Sequence, residues 1–96
     1  MINHVVMFKL AQKDRATAQE LHDRLMALPD KIAQIRHYEV GINMLETPRS
    51  FDLVLISRFD SLAALSEYQA HPDHQAVLEF IRSVTSSIVA VDYEMD

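Results

Sequence analysis

Asn3-His-Val-Val-Met-Phe-Lys-Leu10, read with its counterpart Phe51-Asp-Leu-Val-Leu-Ile-Ser-Arg-Phe59, decides the fold of this chain. Both runs are short, rich in β-branched and aromatic residues and bounded by polar ones, which is the pattern of strands. An antiparallel sheet with one face in water alternates apolar and polar residues along each strand. Val5 to Phe8 and Leu53 to Ile56 do not alternate; they are apolar on both faces. Helices can cover one face. The other needs a cover, and a second copy of the same sheet is the simplest supplier. A homodimer joined through its sheet faces is therefore expected.

Outward from these runs, the helices that cover the first face are legible from spacing. Ala18, Leu21, Leu25, Leu28 and Ile32 recur at three and four residues, so a helix is expected from about Asp14 to Ala33, ended or kinked by Pro29. Further strands are expected at residues 37–45 and 51–59, joined through Glu46-Thr-Pro-Arg-Ser50, whose Pro and Ser suit a hairpin connection. Asp60 or Ser61 can cap the next helix, with Leu62 and Leu65 on its inner face. His71-Pro72 then breaks and restarts it, since Pro is tolerated in a first turn. Val77, Ile81, Val84 and Ile88 make the following stripe, and residues 88–95 close the chain as a fourth strand. The order is βαββαβ with a broken second helix: an α+β, ferredoxin-like protomer with a four-stranded antiparallel sheet.

Composition bounds the function. Ninety-six residues with one glycine and three prolines leave room for one domain, residues 1–96, and no linker. No cysteine occurs, which removes disulfides, thiolate nucleophiles and Cys-type zinc sites. Nine Lys and Arg against fourteen Asp and Glu give a net charge of −5, which disfavours nucleic acid and acidic lipid as partners. No apolar run approaches the roughly 20 residues of a membrane span, and no signal segment opens the chain. A cytoplasmic protein is the expectation.

The two opening runs, Tyr38-Glu-Val-Gly-Ile-Asn43 and Tyr68-Gln-Ala-His71-Pro72-Asp73-His74 together resemble, in order along essentially the whole chain, the stress-responsive dimeric α/β-barrel family. The resemblance implies a ferredoxin-like protomer whose sheet faces a partner's sheet. It also points to a plant polyketide cyclase of that family, olivetolic acid cyclase. By that similarity Tyr68 and His74 are catalytic, while His4, His71 and Asp92 line or support the site. The implied chemistry is a cyclase- or lyase-type reaction without cofactor: His74 removes an activated C–H proton and Tyr68 steadies the carbonyl oxygen. Leu53 stands where the plant enzyme has another pocket histidine, which makes the expected cavity less polar and argues against the same substrate. Ala33-Gln34 replaces a Pro-Gly turn common in the family.

The residues carry a chemical reading of their own. His74 falls in the first turn of the helix that Pro72 opens, where the positive end of the helix dipole disfavours a charged imidazole. Asp92, on the last strand, could take the His74 N–H and fix its tautomer. Tyr68 could donate its hydroxyl to a developing oxyanion, and His4 could project into the same cavity from the first strand. Each has a structural counterpart. Tyr68 can be a core ring with a wet hydroxyl, His74 a fastener to Asp92, and His71 a helix cap. His71 and His74 lie three apart, yet no third ligand is fixed, so no metal is assigned. The five methionines are scattered and define no cofactor site. Two classes of function follow: a binder or cofactor-independent enzyme for a small apolar or polyketide-like molecule, and a non-catalytic stress-response assembly module.

Overall fold

The computed structural model describes residues 1–95. The chain runs β1 (Ile2–Leu10), α1 (Arg15–Met26), β2 (His37–Ile42), β3 (Leu53–Phe59), α2 (Leu62–Ala70), α3 (Pro72–Val84) and β4 (Thr85–Glu94). The sheet order is β2-β3-β1-β4 and every neighbouring pair is antiparallel. This is the ferredoxin-like βαββαβ arrangement, its second helix broken into α2 and α3.

Each helix begins where a side chain satisfies its first N–H groups. Asp14 accepts from Ala16 N at 3.1 Å and Ser61 accepts from Ala64 N at 3.1 Å, so Ser61, not Asp60, is the cap of α2. The first helix is shorter than its apolar stripe. Pro29 has no N–H to give to Leu25 and its ring crowds the preceding turn, so α1 stops at Met26 and residues 27–35 continue as turns. Leu28 and Ile32 stay on the stripe and are buried to 1% exposure. At the other end of the fold, Thr85 turns α3 directly into β4, its hydroxyl donating to Ile81 O at 2.8 Å. Ile88 is consequently a strand residue paired with Phe8, not the last position of the α3 stripe.

The register sorts the sheet into two faces. Ile2, Val6, Phe8 and Leu10 of β1 and Leu53, Leu55 and Phe59 of β3 are buried beneath the helices with Leu21, Leu25 and Ile81. Fully burying such a side chain is worth about 1.5–3 kcal/mol relative to leaving it exposed, so this layer is the core. Val5, Met7, Val54, Ile56, Val89 and Val91 alternate onto the opposite face. No helix covers that face in the protomer, and Met7 is 44% and Val91 63% exposed. Among the described residues no helix is long and apolar enough to cross a membrane.

Candidate functional site

Between the inner sheet face and the helices lies a cavity of about 260 Å³. Its lining is mostly apolar, with Val6, Leu55, Leu78, Ile81 and Ala90 contributing, and its polar groups are His4, Tyr68, Gln69, His74 and Gln75. Two larger open grooves border the 43–52 loop, but neither is lined by an imidazole or a phenol.

The sheet delivers His4. Antiparallel pairing of β1 with β4 sets His4 directly opposite Asp92, and the His4 Nδ1 forms a very short hydrogen bond with Asp92 Oδ1. A carboxylate only accepts, so Nδ1 carries the proton and Nε2 is left as the free ring nitrogen. His4 is 7% exposed. This corrects the expected pairing of Asp92 with His74. Two residues opposite one another in an antiparallel ladder have adjacent Cβ atoms on one face, so Asp92 meets His4.

The helices deliver Tyr68 and His74. Between α2 and α3, His71 adopts an extended backbone, with φ −62° and ψ 136°, and closes one helix while opening the next. Its Nδ1 accepts from Asp73 N at 3.1 Å. Its ring is absent from the cavity lining, so its place in the site is that of a cap. The break leaves the Gln69 carbonyl without a helical partner, and His74 Nδ1 donates to it at 3.1 Å. His74 therefore also keeps Nε2 as its lone-pair nitrogen. Burial pushes its pKa below the ordinary imidazole value, against the raising effect of the Gln69 carbonyl, and the neighbouring His4 and His71 act in the same direction as burial.

Tyr68 lies between these groups. Its ring centroid is 4.5 Å from His74, 6.4 Å from His4 and 4.8 Å from Phe59, and the residue is wholly buried. Its hydroxyl is 2.8 Å from the hydroxyl of Tyr38. Desolvation pushes the Tyr68 phenol up to about 12, partly opposed by the hydrogen bond from Tyr38, and Tyr38 is raised further still, chiefly by burial. Both stay protonated across the neutral range. The expectation of a wet hydroxyl on Tyr68 is thus corrected. Sequence reading gives Tyr38 no site role; its signal is the alternation Tyr38, Val40, Ile42, which places it on the inner face of β2. The Gln69 carbonyl is a backbone group and has no side-chain signal.

His4, Tyr68 and His74 share one cavity, with Asp92 behind His4. No group of three or more His, Cys, Asp or Glu able to hold a metal occurs among the described residues. The arrangement offers two imidazoles with free Nε2 atoms and a protonated phenol in an apolar surround, a set suited to moving protons on a bound molecule.

Comparison with known proteins places the chain in a family. The family model described as the stress responsive A/B barrel domain matches residues 2–95. The chain belongs to that family. An uncharacterized protein of Streptomyces coelicolor is 32% identical over 97 residues, covering 98% of this chain and 99% of the relative. A stress-response A/B barrel domain-containing protein of Arabidopsis thaliana is 31% identical over all of this chain, which spans 37% of the plant protein's length. Among solved structures, a dimeric protein of unknown function with a ferredoxin-like fold from Bacteroides fragilis is 32% identical, with a TM-score of 0.87 over 98% of this chain and 95% of that one. A hydroxynitrile lyase from Passiflora edulis, 14% identical over 99% of this chain and 93% of that one, shares the fold with a TM-score of 0.85.

Proposed function

We propose that this stress-responsive A/B barrel domain binds a small, largely apolar, carbonyl-bearing molecule of polyketide-like character in the 260 Å³ cavity and performs cofactor-independent general-base chemistry on it. His74 is the base and Tyr68 the hydroxyl donor. The observation that carries this reading is the state of His74: its Nδ1 is tethered to the Gln69 carbonyl, its ring lines an apolar cavity, and burial favours its neutral form. A neutral imidazole with a free Nε2 is the form that takes a proton. The fold itself does not choose the reaction, since one architecture hosts many chemistries.

The domain works as a cytoplasmic homodimer joined through the sheet face that bears Val5, Met7, Val89 and Val91. In support, that face is apolar and uncovered in the protomer, and the Bacteroides fragilis relative is described as dimeric. A second reading, a non-catalytic stress-response assembly module, is favoured by the complete burial of Tyr68 and the engagement of its hydroxyl by Tyr38. A thermal-shift screen of aromatic and polyketide-like ketones, repeated on His74→Ala, separates the two. Stabilisation by a ligand that is lost or altered in the variant supports the binding site. Ligand response unchanged while the apparent melting temperature falls supports the module.

A further inference from the structure

The cavity holds one more proton-handling unit than the proposed reaction uses. Removing a proton from carbon next to a carbonyl sends the C–H electron pair into a new C=C bond and the carbonyl π pair onto oxygen, where negative charge builds. Tyr68 can hydrogen-bond that oxygen, but a phenol pushed up to about 12 does not give its proton away at neutral pH. His74 has its only N–H on the Gln69 carbonyl and is the proton acceptor. The proton for oxygen has to come from another group. His4 is that group by position and by environment: it lines the same cavity from the sheet side, and Asp92 holds its Nδ1. A carboxylate at the back of an imidazole holds its Nδ1–H and turns Nε2 toward the front, where it can carry a proton to the bound molecule. His74 has no such counter-charge.

We propose that His4, backed by Asp92, is the general acid of a two-imidazole site, and that the substrate class is an enolisable ketone undergoing proton transfer between carbon and oxygen. This rests on the reading of His74 as a base. In the forward step the substrate C–H bond breaks and its proton bonds to His74 Nε2. His4, its Nδ1–H held by Asp92, first takes a second proton from water on Nε2 and gives that proton to the carbonyl oxygen, and the ketone becomes its enol. His74 then loses its proton to water, which balances the one His4 took up, so no oxidant, reductant or co-reactant is consumed. Asp92 touches no substrate; it is a positioning residue that acts through His4.

Exchange of α-hydrogens for deuterium in phenylacetone and cyclohexanone, followed by proton NMR in deuterium oxide, reads the step directly. The wild-type protein is expected to accelerate exchange above buffer. His74→Gln and His4→Gln should each lower kcat about a hundredfold, and Asp92→Asn at least about tenfold, with KM little changed in Asp92→Asn. Nitrogen-15 NMR should place the proton of neutral His4 on Nδ1 in the wild type, the tautomer whose Nε2 takes up and passes on the second proton, and a mixture of tautomers in Asp92→Asn, which a merely structural contact would not couple to kcat. If His4→Gln loses native circular dichroism, Asp92→Asn carries the comparison alone. Wild-type exchange rates in His4→Gln and Asp92→Asn beside an inactive His74→Gln overturn the second unit and leave the proposed function standing. Exchange no faster than buffer in the wild type overturns the enolisation; if neither ketone shifts the melting temperature, the binding reading falls with it.

Discussion

His4 and Asp92 lie 88 positions apart and meet side by side across the β1/β4 ladder, imidazole Nδ1 against carboxylate Oδ1. The contact joins the first strand to the last and puts a polar pair at the margin of an otherwise apolar layer. His4 is buried while the Asp92 side chain is 40% exposed, so the carboxylate keeps part of its hydration and the imidazole does not.

Removing the carboxylate leaves the buried imidazole N–H without an acceptor. Asp92→Ala is expected to destabilise the fold by about 1–2 kcal/mol, the cost of an unsatisfied buried polar group moderated by the exposure of Asp92. Urea unfolding followed by circular dichroism measures it, and a midpoint equal to wild type would contradict the contact.

The two tyrosine hydroxyls form a pair that can be taken apart in two ways. Tyr38→Phe strands the wholly buried Tyr68 hydroxyl and should cost about 1–2 kcal/mol. Tyr38→Phe with Tyr68→Phe removes both partners and should recover much of that loss, because two apolar rings leave nothing unpaired. A double-mutant cycle by chemical denaturation gives the coupling; strict additivity would show that the hydroxyls do not interact.

His74 makes stability depend on pH with a definite sign. Its folded pKa lies below the ordinary value of 6.5, so between the two the unfolded chain binds more protons than the folded one. Its contribution is present in full above 6.5 and is lost as pH falls through the lowered folded value. His74→Gln should therefore flatten the decline in melting temperature on the acidic side of 6.5, and a slope as steep as wild type would refute the assignment.

The uncovered sheet face is the interface of the proposed dimer. Val91→Lys places a charge on that face at a site 63% exposed in the protomer, where it has little core packing to disturb. Light scattering should give a dimer for wild type and a monomer for Val91→Lys, with the secondary structure of the remaining protomer kept. A wild-type monomer at micromolar concentration would remove the sheet-face dimer.

The strands are legible in the sequence from short β-branched and aromatic runs bounded by polar residues, and the helices from their period. Val5 to Phe8 and Leu53 to Ile56 read as β, and Ala18, Leu21 and Leu25 read as one helical stripe. The end of α1 is not legible from that stripe, since Leu28 and Ile32 remain buried in turns that a proline imposes. The site divides in the same way. His74 in the first turn of α3 follows from Pro72 alone, a local rule. The partner of Asp92 does not, because spacing along a chain says nothing of which residues a ladder sets opposite one another; that needs the pairing of the first strand with the last. Tyr38 escapes notice for a related reason: its hydroxyl partner lies on a helix thirty residues away, and only packing brings them together.

One extended residue, His71, separates α2 from α3 and belongs to both as a cap. Because successive helical residues are rotated by about 100° around the axis, adding or removing a single residue at this joint would swing position 74 to another side of the helix while leaving the sheet as it is. Relatives of equal fold could thus differ in chemistry through the length of this joint, with every strand and every buried leucine unchanged.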